Sequence, residues 1–89
     1  MAKIVITHGV VERERWLRGK SERADAIGAM GGTNVVDHVA QDGSNNVAIS
    51  ADVQDVAAVM ATLASPPPEL AAAMESHGVL PPVMVYVAG

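Results

Sequence analysis

The 89-residue sequence predicts a single ferredoxin-like α+β domain spanning residues 1–89: a four-stranded antiparallel sheet with helices on one face. Three observations predict it. Strand-like and helix-like segments follow one another in the order β-α-β-β-α-(short α)-β. That order closes within fewer than 100 residues. No internal repeat or low-complexity tract interrupts it beyond three consecutive prolines.

The first strand is KIVITHG, residues 3–9, rich in β-branched residues and bounded by Gly9. From Val11 the pattern turns helical. Trp16, Leu17, Ala24, Ile27 and Met30 recur at spacings suited to one helix face, with charges between them. Gly31-Gly32 ends that helix, because glycine accepts the left-handed conformation of a helix C-terminus. Residues 34–41 and 46–51 predict the second and third strands, joined by the turn-forming DGSN. Asp52 precedes a second helical stripe of Val53, Val56, Val59, Met60 and Leu63, with Asp55 near its start where the helix dipole favours an acid. SPPPEL breaks that helix, since proline lacks an N–H and fixes φ. Pro68 suits the first turn of a short helix over 69–77, which Gly78 closes. Pro81 and Pro82 lead into a strand or lie on a sheet edge, and residues 83–88 form the fourth strand.

Composition narrows the function classes. The net charge of −4 and pI of about 5.1 argue against a nucleic-acid partner. The local cluster Arg13, Arg15, Arg18, Lys20 and Arg23 is interleaved with Glu12, Glu14 and Glu22, the pattern of a solvated helix face. Cysteine is absent, which excludes disulfides, thiolate metal sites and a Cys nucleophile. The three histidines lack paired metal-ligand spacing, so no metal is expected. No apolar run approaches the roughly 20 residues that span a bilayer, and the N-terminus lacks the pattern of a signal peptide. A cytoplasmic protein without membrane contact is the expectation.

With no Phe, one Trp and one Tyr, the core has to be aliphatic. A domain this small buries only about 60–65% of its unfolded surface. Mean hydropathy is nonetheless positive, at +0.24. A homodimer that hides a second apolar face accounts for both. Strand alternation shows where that face lies. Ile4 with Ile6, Val47 with Ile49, and Val83, Val85 with Val87 form the bulky set expected beneath the helices. The opposite set, Val5 with Thr7, Ala48 with Ser50 and Met84 with Tyr86, is too apolar for a solvated surface. The second strand offers either Val36 with His38 or Val35, Asp37 with Val39, and its register stays open. The covered face is either a filled dimer core or the wall of a small-molecule cavity.

The order of elements, the aromatic in RWL (15–17), the hairpin DGSNNVAI and the ending SPPPELAAAMESHGVLPPVMVYVAG resemble small members of the dimeric α/β-barrel superfamily. That superfamily includes antibiotic-biosynthesis-monooxygenase-like and polyketide-cyclase-like proteins. The resemblance covers nearly the whole chain. It implies a ferredoxin-like protomer, a homodimer joined through its sheets, and a pocket beneath the helices or inside the barrel. Cofactor-free oxygenases of this group carry an Asn on the first strand, and KIVITHG has none. Haem-degrading relatives carry a His on a late helix, a place His77 matches, but the only Trp of this chain lies on its first helix.

Several residues could carry chemistry. His38, near the hairpin, could act as a general base, or be a surface residue on an edge strand. Its neighbour Asp37 points to the opposite face and cannot simply orient it. His8 ends the first strand, where loops converge on a ligand or merely cap the strand. Tyr86 could donate to a carbonyl or enolate oxygen, or be a buried Tyr with a fixed partner. Trp16 could line a pocket over a flat ligand or form one wall of the core. Thr7, Ser50, Met84 and Asn34 complete the candidate substrate-binding set, although Asn34, Asn45 and Asn46 are also common turn residues. His77 stands at a helix C-terminus, where the dipole favours a cation.

Two functions follow. One is a small-molecule-binding homodimer that acts, without a cofactor, on a carbonyl-bearing or polyketide-like substrate by proton transfer, as a cyclase, isomerase or monooxygenase does. His38, Tyr86 and His8 are then its catalytic candidates. The other is a non-catalytic dimeric binding or accessory protein.

Overall fold

In the computed structural model, which describes residues 1–89, the chain forms β1 (Ala2–Val10), α1 (Arg13–Arg18), α2 (Lys20–Ala29), β2 (Thr33–Val39), β3 (Asn46–Val53), α3 (Val56–Ala64), α4 (Pro68–Ser76) and β4 (Val79–Val87). The strands make one antiparallel sheet in the order β2-β3-β1-β4. The core lies between the sheet and the helices, as the ferredoxin-like reading requires. Ile4, Ile6, Val10, Val47, Ile49, Ala51 and Val53 from the central strands meet Trp16, Ile27 and Val59 from the helices. The two central strands therefore carry the whole fully buried part of the sheet, and the edge strands only flank it.

Alternation sorts the faces as expected for β1 and β3, since Ile6 pairs with Ile49 and Thr7 with Ala48. Val83 and Val85 of β4 are half-buried beneath the helices, but Val87 at the strand end is exposed. The open register of β2 is resolved by its pairing with β3. Asp37 lies opposite Ile49 and faces the helices, while His38 lies opposite Ala48 and Val36 opposite Ser50 on the other face.

Several boundaries differ from the sequence expectation. The first helix is broken at Gly19, where the imidazole of His77 occupies the space a Cβ would need. The break rotates the apolar stripe, so Leu17 is exposed while Trp16 and Ile27 are buried. β3 continues to Val53, which belongs to the sheet core rather than to the helical stripe, and Met60 of α3 is exposed. Asp55, not Asp52, caps α3, accepting a 3.0 Å hydrogen bond from the Ala58 N–H. β4 begins at Val79, and β2 spans Thr33–Val39 rather than 34–41. The strand tolerates Pro81 and Pro82 because it lies on the sheet edge and shifts register beside them, between Thr7 and Gly9 of its neighbour.

The mixed charges of the first helical region are only partly a solvated face. Arg15 donates from Nε to the Ser76 carbonyl at 2.8 Å and from Nη2 to the Glu75 carbonyl at 3.0 Å, which neutralises the C-terminal end of α4. Arg23 points inward and is buried. These two arginines hold the helical layer together.

The end of α2 is a Schellman turn. Gly32 N–H donates to Ile27 O at 2.9 Å and Gly31 N–H to Gly28 O at 3.0 Å, with Gly31 at φ +85°. Replacing Gly31 by Ala is expected to cost about 1–2 kcal/mol in chemical denaturation, because the left-handed backbone is retained at a steric penalty. Gly28→Ala, inside α2 with open space around its Cα, should instead stabilise by about 0.5–1 kcal/mol.

Candidate functional site

A polar cluster stands beneath the sheet where α1, α2, α4 and β2 meet. Its centre is Arg23. The guanidinium forks onto Asp37, with Nη2 to Oδ2 at 2.8 Å and Nε to Oδ1 at 3.2 Å. The side chains are 7% and 4% exposed, so both charges are removed from water together. The same guanidinium lies 3.9 Å from the centroid of the Trp16 ring, a cation–π stack of about 0.5–2 kcal/mol. Its Nη1 donates to the Trp16 carbonyl at 2.9 Å and, at 3.4 Å, to His77 Nδ1.

These contacts set the tautomer of His77. Arginine can only donate, so Nδ1 must accept, and the ring proton sits on Nε2, which donates to Glu22 Oε2 at 3.2 Å. Trp16 is completely buried, and its indole N–H has no acceptor within the protein. Burial of the ring, the Arg23 stack and an edge-on contact with the His8 imidazole at 6.0 Å offset that cost.

His8 completes the cluster from β1. It sits inside the strand rather than at its end, on the same face as Ile4 and Ile6. Its Nδ1–H donates to the Gly9 carbonyl at 2.8 Å, which leaves Nε2 as an unprotonated acceptor with no partner in the protein. Burial holds its pKa below the usual imidazole value, and the nearby Arg23 charge acts in the same direction. Burial is the largest effect and outweighs the Gly9 hydrogen bond, which acts in the opposite direction. His8 is thus neutral at pH 7, with a free lone pair.

His8, Arg23 and His77 are the polar groups of a chamber of about 60 Å³ between sheet and helices. Ile6, Ile27, Ile49, Leu63 and Val83 make half of the rest of its wall, and α2 and α4 side chains with Met30 the other half. An apolar chamber with a few convergent polar groups is the common form of a small-molecule site. A neutral imidazole and a guanidinium facing one space can accept a proton and stabilise a developing negative charge.

The residues singled out in the sequence divide between two faces. His8 and Trp16 lie together in the buried cluster. His38, Ser50, Thr7, Met84 and Tyr86 lie on the opposite, open face of the sheet. There His38 Nε2 and Ser50 Oγ are hydrogen-bonded at 3.0 Å. Thr7, His38, Ala48, Pro82 and Met84 border a cleft of about 460 Å³ at one end of that face, and His8 of the central strand also lines it. Tyr86 and Ser50 stand outside the cleft. Asn34 is remote from both groups; it adopts φ +53° at the start of β2 and donates from Nδ2 to Asp52 Oδ2 at 2.9 Å. Arg23 and Asp37 were not expected in a site. Arg23 is embedded in a charge-rich helix, and only the register of β2 brings Asp37 beneath it. No three His, Asp or Glu side chains converge as a metal centre requires, and no helix is long and apolar enough to cross a membrane.

Two solved structures share this fold across the full chain. One, described as the crystal structure of an antibiotic biosynthesis monooxygenase, is 12% identical with a TM-score of 0.65, over 100% of this chain and 97% of that one. The other, from Deinococcus radiodurans and described as a candidate antibiotic biosynthesis monooxygenase, is 15% identical with a TM-score of 0.60, over 100% and 93%. At these identities the likeness establishes the shared fold. No protein-family model and no curated protein sequence matches the chain.

Replacing Asp37 by Asn strands the buried Arg23 charge. The expected loss is about 3–5 kcal/mol of unfolding free energy by denaturant titration. Asp25→Asn, on the exposed face of α2, should change it by less than about 0.5 kcal/mol.

Proposed function

We propose that the protein is a small-molecule-binding homodimer that acts on a carbonyl-bearing, polyketide-like substrate by proton transfer, with His8 as the general base. The observation that carries this reading is the state of His8: buried, neutral, fixed in one tautomer, and presenting a free Nε2 to the chamber it shares with Arg23. The substrate carbonyl oxygen lies toward Arg23, and the acidic α-carbon toward His8. The proton moves from carbon to Nε2, and the C–H electron pair becomes the enolate. Its negative oxygen is met by the guanidinium. Return of the proton to a different carbon completes an isomerisation, whereas attack of the enolate carbon on an internal carbonyl closes a ring and leaves an alkoxide that takes the proton back from Nε2. A base held below the usual imidazole pKa gives the proton back readily. The two structural neighbours, described as antibiotic biosynthesis monooxygenases, support a biosynthetic substrate.

The second copy belongs on the open face of the sheet. Val36, Met84 and Tyr86 are 49%, 48% and 55% exposed there, beside Val5, Thr7 and Ala48. That is an unusually apolar surface for a domain of this size. A twofold pairing of sheets covers it and encloses the His38 cleft. The size of that cleft favours a second reading, in which the ligand lies between the protomers and His38, held by Ser50, is the base. A volume of about 460 Å³ is already within the common range of ligand pockets.

Solvent exchange of the α-protons of 2-octanone in D2O, followed by NMR, separates the two. His8→Gln is expected to lower the protein-catalysed rate by about 100-fold or more, with His38→Gln within about twofold of the parent. The opposite pattern would move the site to the sheet cleft, and loss in neither variant would leave a non-catalytic binding protein. The parent's acid limb should fall below pH 6.5, because activity needs neutral His8 and its pKa lies under that ordinary value. In sedimentation equilibrium the protein should have twice its 9.2 kDa chain mass, and Val36→Glu with Met84→Glu should halve it.

A further inference from the structure

The chamber that holds His8 is too small for the substrate assigned to it. A buried water needs about 10–15 Å³, and a cavity that admits benzene measures about 150 Å³. At about 60 Å³ the chamber takes a few waters or the end of a molecule. On the outer side of the helical layer lies a groove of about 620 Å³. Ala26 of α2 and Met30 at its C-terminal cap, with Leu70 and Ala73 of α4, line both spaces. The seam between them is two alanines and two flexible side chains thick. α4 has no fully buried residue, so parting that seam exposes little core.

The groove has a charge character of its own. Glu22 and Glu69 line it, with the Thr62 hydroxyl, and no Lys or Arg does. Glu22 uses Oε2 for His77, while Glu69 makes no hydrogen bond or ion pair within the protein. A carboxylate or phosphate on the ligand would meet these two acids in a concave site, whereas an amine or hydroxyl would be accepted by them.

We infer that the ligand is an elongated amphiphile that threads the α2–α4 seam. Its apolar, carbonyl-bearing end reaches His8 and Arg23, and its outer end, in the groove, is a neutral hydroxyl or a cation and not an anion. The inference rests on the chamber reading of the preceding subsection and specifies the ligand class of that same site.

Trp16 reports on it, because its ring touches His8 and Arg23, both of which line the chamber. Titrations of Trp16 fluorescence with octylamine, 1-octanol and octanoate at pH 7 compare three head groups on one tail. Octylamine and octanol should give saturable changes, with octanoate at least about fivefold weaker, a modest factor because the acids are partly screened. Glu69→Gln, at an exposed position, should narrow the gap between amine and carboxylate. Ala73→Phe, checked for an unchanged circular dichroism spectrum, should abolish binding of all three; if that variant misfolds, Ala26→Phe provides the same block from α2. Octanoate binding as tightly as octylamine would overturn the charge assignment. A response to acetone with none to the eight-carbon series would overturn the threaded route while leaving the chamber reading intact. No response to any probe would remove the chamber reading and this inference with it.

Discussion

The buried pairing of Arg23 with Asp37 is the contact on which the helical layer depends. Two opposite charges leave water together, and their isolation is tolerable because three guanidinium N–H groups make strong hydrogen bonds, two of them to Asp37. One fork goes to β2, one N–H to the carbonyl end of α1, and the flat face to the Trp16 ring. A weaker contact reaches His77 at the end of α4. A single side chain from α2 thus touches a strand and two other helices. An apolar residue of the same size would fill the space without fixing where α4 sits. The ionic anchor fixes orientation, and the aliphatic core beneath it supplies most of the burial.

The same anchor shapes the chemistry. Burial, with a smaller added effect from the Arg23 charge, holds the His8 imidazole pKa below its usual value. Arg23 also brings an N–H-rich group to the wall of the chamber that His8 lines. Positive charge and neutral base in one apolar space are the two elements that enolisation requires, and both follow from packing constraints of the fold. The break at Gly19 belongs to this arrangement as well. A side chain there would displace the His77 ring, and with it the link between α4 and Arg23.

Much of the fold was legible in the sequence, for identifiable reasons. In KIVITHG and NVAIS the bulkier aliphatic residues alternate with smaller or more polar ones, so their buried faces could be assigned from side-chain size. The DGSN turn, the glycine pair after Met30 and Pro68 at a helix start each have one conformational role, and each adopts it. What was not legible depended on partners distant in sequence. The helix break at Gly19 comes from His77, 58 residues later by numbering. The register of β2 comes from Val47 and Ile49 rather than from its own ambiguous pattern. Without that register Asp37 had no face, and Arg23 looked like one more charge on a solvated helix. For the site, the sequence singled out His8 and Trp16, which do meet, and His38 with Ser50, which meet on the other face. It could not tell that the sheet separates the two pairs.

The central claim is that His8 is a neutral base with its proton on Nδ1 and its Nε2 free in the chamber. Long-range proton–nitrogen correlation of the imidazoles at pH 7 reads this directly in the folded protein. The expected result is a His8 with a protonated Nδ1 and a bare Nε2, and the opposite tautomer at His77. A His8 found as the imidazolium, or with its proton on Nε2, would contradict the account.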